Sequence, residues 1–360
     1  MPRRMAMLRK SKDERLFDRT FRGRGGLWGD GVSGTMGSQF LHLCRTLAPD
    51  IYVNFINDRS FNAVAALANR RELIGINIGS FELVHNCFFN LLSRRDCLHE
   101  IGDGNAESSE ILPTDFENPT VRRPNDPVRA KAAIDLAFCA LVILYMHERS
   151  HIELCHIAFL KEQFGVAEYC EMQIASQLGT RPWLCRTLEK DADVSGAVTS
   201  ARFWKCWYNS VNLTHLEPLG WARSWIIAAQ MLFWIMELVH PPRNDQVVLG
   251  HSAPHFRLVS VMDAVSKYAE IPSALTEQEL QHDKLIPWIA TQCSALQRPF
   301  LMITDDAIAQ QTHSLNATYR SIADRLEELQ DARAKQKGTT IDRPGYPGSG
   351  WARPFKEIWK

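Results

Sequence analysis

"AAIDLAFCALVILYMHERSHIELCH" (residues 132–156) is the most informative stretch of this chain. Its first fifteen residues are apolar apart from Asp135, and its last ten contain three histidines and two glutamates. A membrane-spanning helix needs about 20 apolar residues, so the run predicts a helix buried in a protein core. The apolar segment "IIAAQMLFWIMELV" (226–239) is shorter still and contains two polar residues. We therefore predict two buried helices and no membrane span.

The composition sets limits on the class of protein. A chain of 360 residues forms one large domain or two ordinary ones. Its 41 basic and 41 acidic side chains give no electrostatic reason to expect nucleic-acid binding. Nine dispersed cysteines, with no CxxC pair, argue against a disulfide scaffold and indicate a reducing compartment. No signal-peptide pattern opens the chain, so we expect a cytoplasmic protein.

Hydrophobic periodicity predicts a mainly α (α+β) protein with a small β-sheet. The alternation in "ELIGINIGS" (72–80) predicts a strand over 72–78, which could offer an edge to an extended peptide. The predicted helices cover about 81–93, 128–163, 164–178, 183–208, 221–239, a segment that begins near Pro254, and 316–337.

The same pass along the chain predicts its domain organisation. Residues 1–37 are basic and Gly-rich, which favours a solvated, mobile arm over a nucleic-acid-binding arm. Residues 38–337 form a single domain, with an irregular connection at 101–128 that contains four prolines. Residues 338–360 form a Pro/Gly-rich tail.

The polar end of the opening stretch has the spacing of a metal site. His147 and His151 are four residues apart, so on a helix their rings project from one face. Two imidazoles in this arrangement can reach one tetrahedral Zn²⁺ at about 2.0–2.1 Å. Glu148 lies about 100° round the helix, where it can act as general base in an HExxH arrangement. A polar stripe where a core helix reaches the surface remains the alternative.

A catalytic zinc site needs a third protein ligand. His156 would lie about 180° from His147 on a continuous helix, so we expect it beside the ligands rather than among them. "TLEKDADVSGA" (187–197) offers Glu189, which would complete a His/His/Glu set. Four other glutamates are candidates by residue type alone: Glu153, Glu162, Glu168 and Glu171.

The helix predicted around Glu189 has two further features. Asp193 lies one turn on and could accept a hydrogen bond from a ligand histidine or from an arginine. Ala192 and Gly196 are small, which would let this helix approach the HExxH helix closely. These features favour a metal site over a charged helix face.

"HERSHIELCH" followed by "EKDAD" resembles the HExxHxxxxH and ExxAD motifs of gluzincin metallopeptidases, the group that contains the heat-shock membrane protease and the prenyl-protein (CAAX) endopeptidases. The resemblance implies a helical zincin-like metallopeptidase domain with Zn²⁺ as cofactor. It implies that His147, His151 and Glu189 bind the zinc and that Glu148 is the general base. The later aspartate of the family motif falls on Asp193, and its later histidine falls on His156.

The resemblance extends over about residues 61–260. "FNAVAALANRRELIGINIGSFELV" is similar to the family segment that precedes HExxH, and "GHSAPHFR" places Arg257 six residues after His251. In the family this pair helps to bind the transition state. The chain departs from the pattern at Ser252, where proline is usual, and His240 and His255 are alternatives to His251. The absence of predicted spans makes the chain more similar to the Lit-like phage-exclusion peptidases.

These patterns predict a zinc-dependent endopeptidase that acts on a protein or peptide substrate. Glu148 would take the proton of the attacking water, and His251 would donate to the oxyanion. Arg257 would either bind the transition state or pair with Asp193. Two other hypotheses remain: a zinc protein without activity, and a helical interaction protein in which the motif arises by chance.

Overall fold

The computed structural model describes residues 11–28, 36–109, 121–169, 182–239, 254–276 and 305–337. The described helices are α1 (Lys12–Thr20), α2 (Met36–Leu47), α3 (Ile78–Leu92), α4 (Pro127–Glu153), α5 (His156–Phe164), α6 (Pro182–Val211), α7 (Gly220–Val239), α8 (Pro254–Tyr268) and α9 (Asp305–Gln336). The strands are β1 (Ile51–Ile56), β2 (Ala63–Ala68), β3 (Arg71–Asn77) and the two-residue β4 (Glu168–Tyr169). The predicted mainly helical class with a small sheet is confirmed.

Helix α4 passes through the centre of the protein. It begins with Pro127 in its first turn, and the Asp126 side chain accepts a hydrogen bond from the backbone N–H of Arg129. Between Leu136 and Met146 every side chain is buried. The helix packs against α2, α3, α6 and α7 and against strands β2 and β3. A helix that is apolar on all sides needs neighbours on all sides, which is the arrangement observed.

The sheet is mixed and has the order β1-β3-β2-β4. Strand β3 pairs in parallel with β1 and antiparallel with β2. The predicted strand over 72–78 is therefore present, but it is central. Our expectation that it offers an edge to a peptide is wrong, because both of its backbone edges are already paired.

Helix α1 covers the face of the sheet opposite to α4. Its Phe17 and the adjoining Phe21 are fully buried against Ile56, Val64 and Leu73. The prediction of a solvated arm over 1–37 is therefore wrong for residues 11–28. Met36 and Gly37 of that arm belong to α2, and its other residues, the tail 338–360, and residues 110–120 of the connection lie outside the described residues.

The helix predicted over 128–163 is two helices. Helix α4 ends at Glu153, and Cys155 has a left-handed backbone conformation with φ +62°. Helix α5 then starts at His156 in a new direction. Most of the helix predicted over 164–178 lies outside the described residues, and its described part is the last residue of α5, a loop and β4.

The two apolar segments that we tested for membrane insertion are the buried parts of α4 and α7. Among the residues that the structure describes, no helix combines the length and the apolar character that crossing a membrane requires.

Candidate metal centre

Two helices, α4 and α6, bring the predicted ligands together. His147 and His151 lie on successive turns of α4, and Glu189 faces them from α6. Close approach is possible because α6 carries Gly196 where it crosses α4. A Cβ atom at position 196 would lie only 2.8 Å from the Cα atom of His147. The small residue predicted to permit close contact is thus required there.

The donor atoms of these three residues converge on one point. His147 Nε2 lies 3.1 Å from His151 Nε2. Glu189 Oε2 lies 3.6 Å from His147 Nε2, and Glu189 Oε1 lies 3.6 Å from His151 Nε2. Ligand atoms held at 2.0–2.1 Å around a tetrahedral Zn²⁺ are about 3.3 Å apart. The group is buried and could hold a metal ion.

The two histidines differ in their affinity for protons. Burial lowers the pKa of His151 well below its usual value, and the neighbouring His147, His156 and Arg257 lower it further. Burial also acts to lower the pKa of His147, but the hydrogen bond to Asp193 and the charges of nearby carboxylates raise it to about 9. Of the two rings, His147 therefore has the higher affinity for a proton.

Asp193 fixes the other side of the His147 ring. Its Oδ1 lies 2.9 Å from His147 Nδ1, and Arg257 donates to both carboxylate oxygens at 2.7 and 2.9 Å. Although burial acts to raise the pKa of Asp193, the charge of Arg257 holds it below its usual value. Arg257 Nη2 also lies 3.1 Å from Glu189 Oε2. The pairing of Arg257 with Asp193 is the bracing contact that we considered as the alternative to transition-state binding.

His156 lies beside His151, as expected for a residue next to the ligands, but not for the reason that we gave. On a continuous helix it would point away. The left-handed residue Cys155 turns the chain, so that His156 Nδ1 lies 3.0 Å from His151 Nδ1. His156 Nε2 in turn lies 3.1 Å from Asp191 Oδ2. We did not predict a role for Asp191, although its acidic side chain lies between two positions that we had selected.

Glu148 is buried beside His147, with 5% of its surface exposed. A small cavity lies on the Asp193 side of His147, and its other lining residues are apolar side chains of α4, α6, α7 and α8. The site therefore combines a charged ligand group with apolar walls.

Several other predicted residues do not lie in this group. Glu153 pairs with Arg149 at 2.9 Å, Glu162 pairs with Arg325 at 2.5 Å, and Glu168 is in β4. His240, His251, Glu171 and the side chain of His255 lie outside the described residues. The oxyanion role of His251 stays a prediction.

No protein-family model, no curated protein and no solved structure matches this chain.

Proposed function

We propose that the protein is a zinc-dependent peptidase that hydrolyses a protein or peptide substrate. The observation that carries the proposal is the convergence of His147 Nε2, His151 Nε2 and Glu189 within 3.1 to 3.6 Å, on helices that also hold Glu148. Two neutral imidazoles and one carboxylate are the donor set of catalytic zinc sites that leave a fourth position open.

The side chains of this chain have separate tasks in the proposed reaction. A bound zinc ion would supply Lewis-acid polarisation of a carbonyl and of a water molecule. Glu148 accepts the proton of the attacking water and returns it to the leaving amine. Asp193, held by Arg257, orients His147. Apolar side chains line the cavity beside His147 and Asp193, which strengthens the electrostatic interaction between these two residues.

Zinc content tests the first half of the proposal. Wild type, Glu189→Ala and Glu148→Gln proteins would be purified without chelator, and zinc per chain measured by elemental analysis. We expect about one zinc in wild type and in Glu148→Gln, and a sharp loss in Glu189→Ala. Glu153→Gln, on the same helix, is the matched control and should keep its zinc. A wild-type protein that takes up no zinc after reconstitution would contradict the proposal.

Cleavage tests the second half. The zinc-loaded proteins would be incubated with a proteome-derived peptide library, and new termini identified by mass spectrometry. Loss of a general base costs about 10²–10⁴-fold in rate, so Glu148→Gln should produce almost no new termini while Glu153→Gln cleaves as wild type does. Cleavage that persists in Glu148→Gln would remove this residue from the mechanism.

A zinc protein without peptidase activity is the second candidate, and one contact favours it. Arg257 lies 3.1 Å from Glu189 Oε2, so the third ligand is already engaged by a buried cation. This candidate predicts one zinc per chain and no Glu148-dependent cleavage of any library peptide.

A further inference from the structure

A line of hydrogen-bonding groups runs from the metal centre to a second point on α6. His151 Nδ1 lies 3.0 Å from His156 Nδ1, and His156 Nε2 lies 3.1 Å from Asp191 Oδ2. Both histidines are fully buried, and Asp191 is 8% exposed. Three helices thus contribute one residue each: α4, α5 and α6.

When both imidazoles are neutral, the chemistry of the last residue sets the positions of the protons along this line. A carboxylate can only accept hydrogen bonds, so its contact with His156 needs an N–H at Nε2. A neutral imidazole has one N–H, which leaves His156 Nδ1 as an acceptor. His151 must then donate from Nδ1. Its Nε2, which faces His147 and Glu189, then carries the lone pair of the ring.

We infer that Asp191 is a positioning residue that acts through His156 to hold His151 in the tautomer and ring orientation that bind a metal ion. The inference rests on the proposed metal site and deepens it. Hydrogen bonds from ligand histidines to carboxylates commonly fix the tautomer in this way, and here the carboxylate acts across an intervening imidazole.

The other ligand histidine supports this assignment by comparison. Asp193 contacts Nδ1 of His147 directly, at 2.9 Å, and so leaves Nε2 of that ring as the atom that faces the same point. Helix α6 therefore supplies one ligand, Glu189, and the carboxylates that orient both of the others. Asp193 orients His147 by direct contact, and Asp191 orients His151 through His156.

Zinc affinity, measured by competition with a chromophoric chelator, is the first test. We expect Asp191→Ala and Asp191→Asn to bind Zn²⁺ about 10- to 100-fold more weakly than wild type, as for other residues that orient ligands. Asn presents an N–H₂ group as well as a carbonyl, so it does not dictate the proton of His156. Asp191→Glu keeps the carboxylate and should recover most of the affinity.

The matched control is the pair of Asp135 and His215. Asp135 Oδ2 lies 2.5 Å from His215 Nε2, a contact between an aspartate of α4 and a buried histidine outside the metal centre. Asp135→Asn should leave zinc affinity unchanged. Wild-type affinity in Asp191→Asn, or an equal loss in Asp135→Asn, would overturn the inference.

The tautomer of His151 provides a readout that a purely structural role would not change. In metal-free wild type with ¹⁵N-labelled histidine, assigned with a His151→Gln variant, we expect the Nδ1–H tautomer. Asp191→Asn should shift His151 towards a mixture. An Nε2–H tautomer in wild type would overturn the inference even if no variant folded. A wild-type protein that binds no zinc would instead overturn the proposed function, and the tautomer would still decide the role of Asp191.

Discussion

Gly196 lies so close to His147 that a Cβ atom at position 196 would be 2.8 Å from both the Cα and the backbone nitrogen of His147. The neighbouring atoms belong to helix backbones and cannot rotate away. The distance between α4 and α6, and with it the distance from Glu189 to both histidines, depends on this contact.

Gly196→Ala should therefore separate the two helices. We expect a loss of about 1–3 kcal/mol in the free energy of unfolding, the usual cost of adding a methyl group to a filled core, and weaker zinc binding. Urea denaturation and chelator competition measure the two effects. Gly23→Ala is the control, because a Cβ there meets no atom within 4 Å. If Gly196→Ala bound zinc as wild type does, the close crossing would not set the ligand geometry.

Arg257→Met should be strongly destabilising in the metal-free protein. It leaves the buried carboxylates of Asp193 and Glu189 without their shared cation, and breaking a buried ion pair from one side costs about 3–5 kcal/mol. Arg257→Lys keeps the charge but loses the two parallel hydrogen bonds to Asp193, so it should be intermediate. Chemical denaturation in the presence of chelator measures both. A loss in Arg257→Met no larger than in Arg257→Lys would contradict this account.

Arg129→Lys should destabilise the region between α3 and α4. The fully buried guanidinium of Arg129 donates to five backbone carbonyls, those of Leu92, Arg94, Cys97, Leu98 and Ile101. Lysine has three donors and cannot satisfy five acceptors. With two carbonyls left unsatisfied at about 1–3 kcal/mol each, we expect a loss of about 2–6 kcal/mol in the free energy of unfolding.

Arg95→Lys is the control for this substitution, because the exposed side chain of Arg95 donates to the carbonyl of Asn105. Urea denaturation should show little change for it. Equal stabilities for the two lysine variants would mean that the carbonyls around position 129 find other donors.

Glu72 should make the docking of α9 depend on pH. It accepts hydrogen bonds from Arg333 and Lys337, at 2.7 and 2.8 Å. Burial acts to raise the pKa of Glu72, but the hydrogen bond and charge of Arg333 hold it below the usual value. A folded-state pKa below the unfolded one means that the contact stabilises the protein above the unfolded pKa of about 4.3. This stabilisation is lost as the pH falls through the lower, folded value.

Wild type should therefore exceed Glu72→Gln in the free energy of unfolding at pH 7 by about 1–2 kcal/mol, allowing for the partial exposure of the contact. The difference should shrink below the unfolded pKa of about 4.3. Asp263→Asn, which removes an exposed i,i+4 pair with Lys267, should show little difference at either pH. A difference for Glu72→Gln that did not vary with pH would show that charge is not responsible.

The sequence pattern predicted α6, α7 and β3 closely, because their periodicity and end signals agree with their tertiary surroundings. It did not predict β1 and β2. Strand β2 is "AVAALA", whose residues are good helix formers without polar alternation, and four of the six are fully enclosed between helices and neighbouring strands. Backbone pairing with β3, rather than the helix propensity of its own residues, determines the conformation of β2.

The shared helix face of His147 and His151, and that of Glu189 and Asp193, could be predicted from spacing, because the i,i+4 rule holds within any regular helix. The line from His151 to Asp191 could not, because it depends on the left-handed conformation of Cys155. Left-handed residues are usually glycine or asparagine, so a cysteine gives no signal of a helix end.

Because the helix ends at Cys155, the number of residues between His151 and His156 determines where the ring of His156 lies. Each residue added or removed within a helical segment would rotate the rest of that segment by about 100° and shift it by about 1.5 Å. One insertion on either side of the break would therefore carry the ring of His156 away from His151. The spacing of five residues from His151 to His156, with a helix end at the residue before His156, is a sequence pattern by which other chains with the same arrangement can be sought.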